Sequence, residues 1–123
     1  MKKVLIADDK ATSRELVRTV LEKEGYSVVE AADGIEALEN ARSAEPDMII
    51  LDLQMPGLDG FSVLEELRKD ERFHDTPIMA LTASAMQGDR ERALTIGFTG
   101  YVTKPIRLQV LRSEVERLLR LLR

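Results

Sequence analysis

Short apolar runs alternate five times with longer amphipathic stretches along this 123-residue chain. Each run is too short to form a helix, and each is followed by a stretch whose apolar residues recur at helical spacing. This alternation is typical of repeated βα units built around a parallel sheet. The sequence therefore predicts an α/β fold with strands at Val4–Ala7, Ser27–Ala31, Met48–Asp52, Ile78–Leu81 and Tyr101-Val102.

Turn and capping residues predict where the helices begin and end. Thr12, with Glu15 three residues later, suggests a capping box at the first helix, and Gly25 suggests its end. The second helix follows the Asp33-Gly34 turn and must end before Pro46, because the residue preceding a proline disfavours helical geometry.

The later helices are predicted from turns and apolar stripes. The third passes through Phe61, Leu64 and Leu67, and the fourth runs from about Met86 to Gly97. Leu119 and Leu121 lie off or at the edge of the main stripe of the last helix and suggest a dimer contact or the start of a longer helix. That stripe consists of Leu108, Leu111, Val115, Leu118 and Leu122.

Length and composition limit the class of protein. A chain of this length is expected to form one domain over residues 1–123. The net charge of −4 disfavours direct nucleic-acid binding, and the lack of cysteine excludes disulfides and thiolate metal sites. No apolar run approaches the roughly 18 residues that a membrane-spanning helix needs. We therefore expect a cytoplasmic protein without membrane contact.

Acidic residues follow two of the predicted strands. Asp8 and Asp9 close the first strand and Asp52 closes the third, while Thr82 and Lys104 follow the fourth and fifth. Ligands of open parallel sheets bind beyond the carboxyl ends of the strands. Three carboxylates at one such edge repel each other unless a cation lies among them. The pattern predicts a divalent-metal site with a ligating or nucleophilic aspartate.

Four segments together resemble the receiver domains of two-component response regulators, most closely the stand-alone members. The resemblance covers the whole chain and implies a flavodoxin-like (βα)5 sandwich. Its five-stranded parallel sheet would have the order 2-1-3-4-5, with helices on both faces. The matching segments are Val4-Leu5-Ile6-Ala7-Asp8-Asp9, Asp52-Leu53-Gln54-Met55-Pro56-Gly57-Leu58-Asp59-Gly60, Leu81-Thr82-Ala83 and Tyr101-Val102-Thr103-Lys104-Pro105.

The resemblance also implies a chemistry for the strand-end residues. Asp52 would be the phosphoacceptor, and Lys104 and Thr82 would contact the phosphoryl oxygens. Magnesium, or manganese in its place, would be held by Asp9, Asp52 and the backbone carbonyl of Gln54, and through water by Asp8. Such a domain assists its own phosphorylation and dephosphorylation but is not an enzyme. The Lys104-Pro105 peptide bond would be cis.

The resemblance also implies how the signal is passed on and which residues set the lifetime of the phosphoryl group. Thr82 would move toward the phosphoryl group, and Tyr101 would turn into the space it leaves; the simpler alternative is that Tyr101 is an ordinary half-buried strand residue. Gln54 and Ser84 would tune the lifetime of the phosphoryl group, and Ala83 would leave room for phosphodonors.

The expected partners are proteins. A histidine kinase or histidine phosphotransfer protein would bind the first helix and the Pro105–Leu108 loop, and an unidentified target would bind the face formed by helix four, strand five and helix five. The chain would be a monomer that could dimerise on phosphorylation. Three alternatives stay open. The chain could be a receiver cut from a hybrid kinase or transcription factor, a phosphorylation-silent scaffold, or a metal-dependent aspartyl phosphatase; the last normally needs an acid where Gln54 stands.

Overall fold

A computed structural model describes residues 1–83 and 88–120 of the chain. Strands and helices alternate in the described ranges, and one turn of 3-10 helix at Glu71–Phe73 precedes the fourth strand. The strands are β1 (Lys3–Ala7), β2 (Ser27–Ala31), β3 (Met48–Asp52), β4 (Ile78–Thr82) and β5 (Gly100–Thr103). The helices are α1 (Ala11–Lys23), α2 (Gly34–Ala44), α3 (Gly60–Arg68), α4 (Asp89–Ile96) and α5 (Leu108–Arg120).

All five strands belong to one parallel sheet in the order β2-β1-β3-β4-β5. In the register of the sheet, Leu5 of β1 lies beside Val29 of β2 and Ile49 of β3. The predicted fold class and strand order are therefore confirmed. The central strand β3 is buried over its whole length, as expected for a strand covered on both faces.

Helices cover both faces of the sheet because successive strand residues point to opposite sides. Leu5 and Ala7 point into a core shared with α2, α3 and α4. Val4 and Ile6 point into a second core shared with α1 and α5. Short apolar strands that are buried on both sides therefore hold two helical layers in place.

Aspartates cap the N-terminal ends of α2 and α3, whereas α1 lacks the cap that the sequence predicts. Asp33 and Asp59 cap α2 and α3 by accepting hydrogen bonds from the third residue along, at 2.8 and 2.9 Å. The capping box predicted at Thr12 is wrong, because α1 already begins at Ala11 and its N-cap residue is Lys10, which makes no side-chain cap. Thr12 therefore lies within the first turn.

The predicted ends of helices four and five differ in part from those of the structure. Met86, where helix four was predicted to begin, and Leu121 and Leu122 near the end of the chain lie outside the described residues. Leu119 is buried in the α1–α5 core, with Tyr26 packed against the same core. A free dimer contact at Leu119 is therefore wrong for this structure. The predicted stripe is also wrong at Leu108, which is 43% exposed, so the buried face of α5 gains Leu119 and loses Leu108.

The fold brings the carboxyl ends of β1, β3, β4 and β5 to one edge. Helix α3 packs closely against this edge, because a side chain at Gly60 would lie 2.5 Å from the backbone oxygen of Asp52. Only a glycine tolerates such an approach. The start of α3 therefore confines the main chain at the end of β3. Within the described ranges, no helix has the length and apolar character to cross a lipid bilayer.

Candidate functional site

Three carboxylates meet at this edge of the sheet. Asp8 follows β1 and is completely buried, Asp52 ends β3 and is 3% exposed, and Asp9 is exposed. Each offers an oxygen within 4.8 Å of those of the other two. Burial of two acids so close together is unfavourable unless positive charge compensates them. The cluster predicted from the sequence is therefore present in the fold.

Lys104 supplies part of that positive charge. Its ammonium nitrogen lies 2.9 Å from Asp8 Oδ2 and 3.1 Å from Asp52 Oδ2, and its side chain is 12% exposed. The Lys104-Pro105 peptide bond is cis, and the backbone N–H of Lys104 donates to the Thr82 carbonyl at 2.7 Å. One cation thus contacts both buried carboxylates.

Burial and the contacts between Lys104 and the carboxylates shift the pKa values of these groups in opposite directions. Burial, together with the nearby charge of Asp8, raises the pKa of Asp52 above its ordinary value, although hydrogen bonds from Gln54 and Lys104 oppose the shift. Burial lowers the pKa of Lys104, but the contacts with Asp8 and Asp52 outweigh burial and raise it. A carboxyl group whose pKa is shifted by both burial and specific charged neighbours is a candidate functional residue.

The two acids are also held by main-chain donors. The backbone N–H of Lys10 donates to Asp8 Oδ1 at 2.9 Å, and that of Gln54 donates to Asp52 Oδ1 at 3.0 Å. Both carboxylates therefore keep one oxygen on a main-chain donor and turn the other toward Lys104. Their geometry is set by the two loops that follow β1 and β3.

Thr82 and Tyr101 lie on β4 and β5, the two strands beyond β3 in the sheet. Thr82 ends β4 and is 2% exposed. Tyr101 of β5 is half-buried against the core beneath α3 and α4, and burial raises the pKa of its hydroxyl, with smaller effects from Asp89 and Glu91. Among residues 1–83 and 88–120, none forms a hydrogen bond with that hydroxyl. Thr82 and Tyr101 therefore occupy neighbouring strands, with Tyr101 in register with Ala80, two residues before Thr82.

The residues predicted to tune the site are placed only in part. The side chain of Gln54 is exposed at the start of the β3–α3 loop, and Ala83 is exposed next to Thr82. Ser84 lies outside the described residues. The roles of all three, and that of the Gln54 carbonyl, stay predictions.

One contact of the site has no signal in the local sequence. Arg14 of α1 donates from Nη1 to the backbone oxygen of Asp8 at 2.7 Å. Its Nε donates to Glu30 of β2 at 3.1 Å. Sequence analysis missed both residues because they are 16 positions apart and neither forms a motif.

The donor set fits a hard divalent cation. Mg²⁺ and Mn²⁺ prefer carboxylate oxygens, and three such groups converge here. Asp8 Oδ2 is buried, and its one polar contact among the described residues is the ion pair with Lys104 at 2.9 Å. A buried carboxylate oxygen with spare acceptor capacity is the feature that a cation or a metal-bound water would satisfy.

The sequence profile and the similar proteins indicate the same family for this chain. The sequence profile of the response regulator receiver domain matches residues 4–116. The chain is 44% identical over 118 residues to the probable transcriptional regulator ycf27 of Guillardia theta, covering 96% of this chain and 45% of that protein. It is 39% identical over 105 residues to the polar-differentiation response regulator DivK of Brucella ovis, covering 85% of each.

One of the solved structures similar to this chain contains a metal ion in its active site. The receiver domain of the sensor histidine kinase PA1611 of Pseudomonas aeruginosa superposes with a TM-score of 0.87 at 36% identity, covering 96% of this chain and 97% of that one. That structure has a magnesium ion coordinated in its active-site cleft. The chain spans about half the length of the transcriptional regulators that it matches. From the profile match over most of its length, this chain belongs to the response regulator receiver domain family of two-component signalling.

Proposed function

We propose that Asp52 accepts a phosphoryl group from a histidine kinase or a histidine phosphotransfer protein in a magnesium-dependent reaction. The observation that carries this proposal is the position of Asp52. It is a buried carboxylate within 4.8 Å of those of Asp8 and Asp9, and in contact with Lys104. A surface acid that served only solubility would have no reason to be buried in this way.

The proposed reaction is an in-line displacement at phosphorus. A carboxylate oxygen of Asp52 attacks the phosphorus of a phosphohistidine, the P–N bond breaks, and an acyl phosphate forms. Lys104 then pairs with one phosphoryl oxygen as a point charge, and Thr82 donates a hydrogen bond to another. These side chains position and stabilise the group, and neither needs to act as a general acid or base.

Asp8, Asp9, Asp52 and the backbone carbonyl of Gln54 would hold the cation, with Asp8 acting through water. When bound, Mg²⁺ offsets the repulsion between the anionic nucleophile and the anionic donor. The similarity to the PA1611 receiver, whose cleft coordinates magnesium, supports this assignment. Mn²⁺ would satisfy the same oxygen ligands.

A groove beside the cluster gives the donor a place to bind. It is lined by Thr12, Ser13 and Leu16 of α1 and by Lys104, Pro105 and Ile106. Leu16 is 40% exposed, and the short polar side chains of Thr12 and Ser13 permit a close approach. We propose that the phosphohistidine helix of the kinase or phosphotransfer protein binds here, because the groove leads to Lys104 and Asp52.

Readout would use Thr82 and Tyr101. Once Thr82 turns toward the phosphoryl group, Tyr101 can move further inward and change the surface formed by α4, β5 and α5. The half-buried position of Tyr101, and a hydroxyl that no residue in 1–83 or 88–120 hydrogen-bonds, support a side chain with two alternative positions. The downstream protein would recognise that surface, and dimerisation on phosphorylation would use it too.

The proposal is tested by intact-mass spectrometry after incubation with acetyl phosphate and MgCl₂. We expect the mass of one phosphoryl group to be added per chain, and no adduct in Asp52→Asn. The matched control is Asp59→Asn, which removes a nearby acid but keeps an N-cap acceptor for α3. This variant should be phosphorylated like the wild type.

Two results would contradict the proposal. An unmodified wild-type chain in MgCl₂ would favour a phosphorylation-silent scaffold. Continuous release of phosphate from many substrates, with no accumulation of the phosphorylated chain, would favour a phosphatase. The absence of an acid at Gln54, the position two residues after Asp52, argues against the phosphatase.

A further inference from the structure

Arg14 bridges the end of β1 to the edge strand β2. Its Nη1 lies 2.7 Å from the backbone oxygen of Asp8, and its Nε lies 3.1 Å from Glu30 Oε1. The side chain is 18% exposed, so solvent competes little for these hydrogen bonds. Two nitrogens of one planar guanidinium thus hold two groups from neighbouring strands at a fixed spacing.

This bridge completes the fixation of the Asp8 main chain. The backbone N–H of Asp8 donates to the Ala31 carbonyl at 3.1 Å, and its backbone oxygen accepts from Arg14. Both main-chain polar atoms of Asp8 are therefore bonded to groups outside the β1–α1 loop. That loop also carries Asp9, so the positions of two of the three clustered carboxylates depend on it.

Glu30 keeps the charge of Arg14 from opposing a cation. A lone guanidinium near the cluster would repel Mg²⁺, but Glu30 pairs with Arg14 on one oxygen and with Arg18 on the other. The hydrogen bond from Arg18, and then that from Arg14, lower the pKa of Glu30, so it is ionised at neutral pH. The positional effect of Arg14 should therefore exceed its electrostatic effect.

We propose that Arg14, held by Glu30, is a positioning residue that fixes the β1–α1 loop so that Asp8 and Asp9 meet Asp52 around the divalent cation. This inference rests on the proposed function, since it assigns a role toward the same metal site. It extends that site from the strand ends to a salt bridge between α1 and β2.

The test is a MgCl₂ titration of the isotope-labelled chain, followed by the amide NMR shifts of Asp9 and Gln54. In Arg14→Gln we expect the dissociation constant for Mg²⁺ to rise about 10- to 100-fold, the range found when a residue that orients a metal ligand is removed. Amide signals of the sheet far from the loop should keep their wild-type positions. That pattern would show that the fold is intact.

Arg18→Gln is the matched control. Arg18 also binds Glu30, at 2.6 Å, but no hydrogen bond joins its side chain to Asp8 among the described contacts. Its removal should leave the Mg²⁺ affinity within about twofold of the wild type, since exposed ion pairs contribute little. Arg14→Lys keeps the charge but offers one nitrogen, so we expect its affinity to stay reduced.

The outcomes separate this inference from the function on which it rests. If the wild type binds Mg²⁺ and Arg14→Gln binds it equally well, the positioning role is wrong and the proposed function stands. If Arg14→Lys bound Mg²⁺ with wild-type affinity, a positive charge alone would be sufficient for Mg²⁺ binding. The positioning role of the two hydrogen bonds from Arg14 would then be wrong. If the wild type shows no Mg²⁺-dependent shifts, both the proposed metal site and the inference fail.

Discussion

At the scale of single residues, Asp52 meets two opposed requirements. As the proposed nucleophile Asp52 must be ionised, yet its carboxylate is 3% exposed and close to Asp8. Burial raises its pKa, and Lys104 compensates only in part because it is shared with Asp8. The charge of Asp52 therefore destabilises the metal-free fold and favours the binding of a cation.

The raised pKa of Asp52 should make the free energy of unfolding depend on pH. Because the pKa of Asp52 is higher in the folded chain than the ordinary 3.8, the folded state binds its proton more tightly than the unfolded state. The resulting stability is present at low pH and is lost as pH rises through the folded pKa. Asp52→Asn, measured by urea unfolding in EDTA, should be more stable than the wild type at pH 7.

This difference should shrink as pH falls and should level off below the ordinary pKa of 3.8, where the wild-type carboxyl is protonated in both states. Asp59→Asn serves as the control and should follow the wild type at each pH. A stability difference between Asp52→Asn and the wild type that is constant from pH 7 to the acid limit would show that ionisation of Asp52 has no cost in the fold.

The strand-end residues of the site could be predicted from sequence, and their supports could not. Asp8, Asp9 and Asp52 follow apolar runs, so a parallel sheet brings them together whatever the details of packing. Arg14 reaches Asp8 through space, and its partner Glu30 lies on a different strand. Such contacts depend on the docking angle of α1, which no local pattern specifies.

At the scale of secondary-structure elements, Arg68 joins the end of α3 to two other segments. Its Nη1 donates to the carbonyls of Phe73 at 2.7 Å and Thr76 at 2.9 Å, and its Nη2 donates to that of Gly97 at 3.0 Å. Burial lowers the pKa of this guanidinium. One side chain therefore connects α3, the loop before β4 and the C-terminal end of α4.

The second prediction is that Arg68→Met lowers the free energy of unfolding by about 2 kcal/mol, because three charge-assisted hydrogen bonds are lost and their carbonyls lose a donor. Amide hydrogen exchange at Thr76 and Phe98, next to those carbonyls, should become faster. Lys69→Met removes only exposed ion pairs and should change stability by less than about 0.5 kcal/mol. Equal stability of the two variants would contradict this role of Arg68.

Element positions were predicted better than element ends. The five strands are predicted correctly because their apolar runs are bounded by turn residues, and α2 begins at the predicted Asp33-Gly34 turn. The first turn of α1 was misplaced because Thr12 and Glu15 also fit inside a helix. The sequence pattern suggests a dimer contact at Leu119, but packing between α1 and α5 buries it. In both cases tertiary contacts outweigh a local pattern.

At the scale of the whole molecule, the strand order decides which strand-end residues lie close together. The sheet order β2-β1-β3-β4-β5 puts β1 and β3 side by side, so the acids of both strands share one edge. Hydrophobic periodicity alone predicts strands and helices but not which strands are neighbours. The order was expected only from the resemblance to receiver domains, and the fold confirms it.

The central claim is that the carboxylate of Asp52, gathered with Asp8 and Asp9 around a divalent cation, accepts the phosphoryl group. The most direct measurement is peptide mass spectrometry that locates the group after acetyl phosphate treatment, in MgCl₂ and in EDTA. We predict modification on the peptide that contains Asp52, in MgCl₂ only. Modification at another residue, or equal modification in EDTA, would contradict the claim.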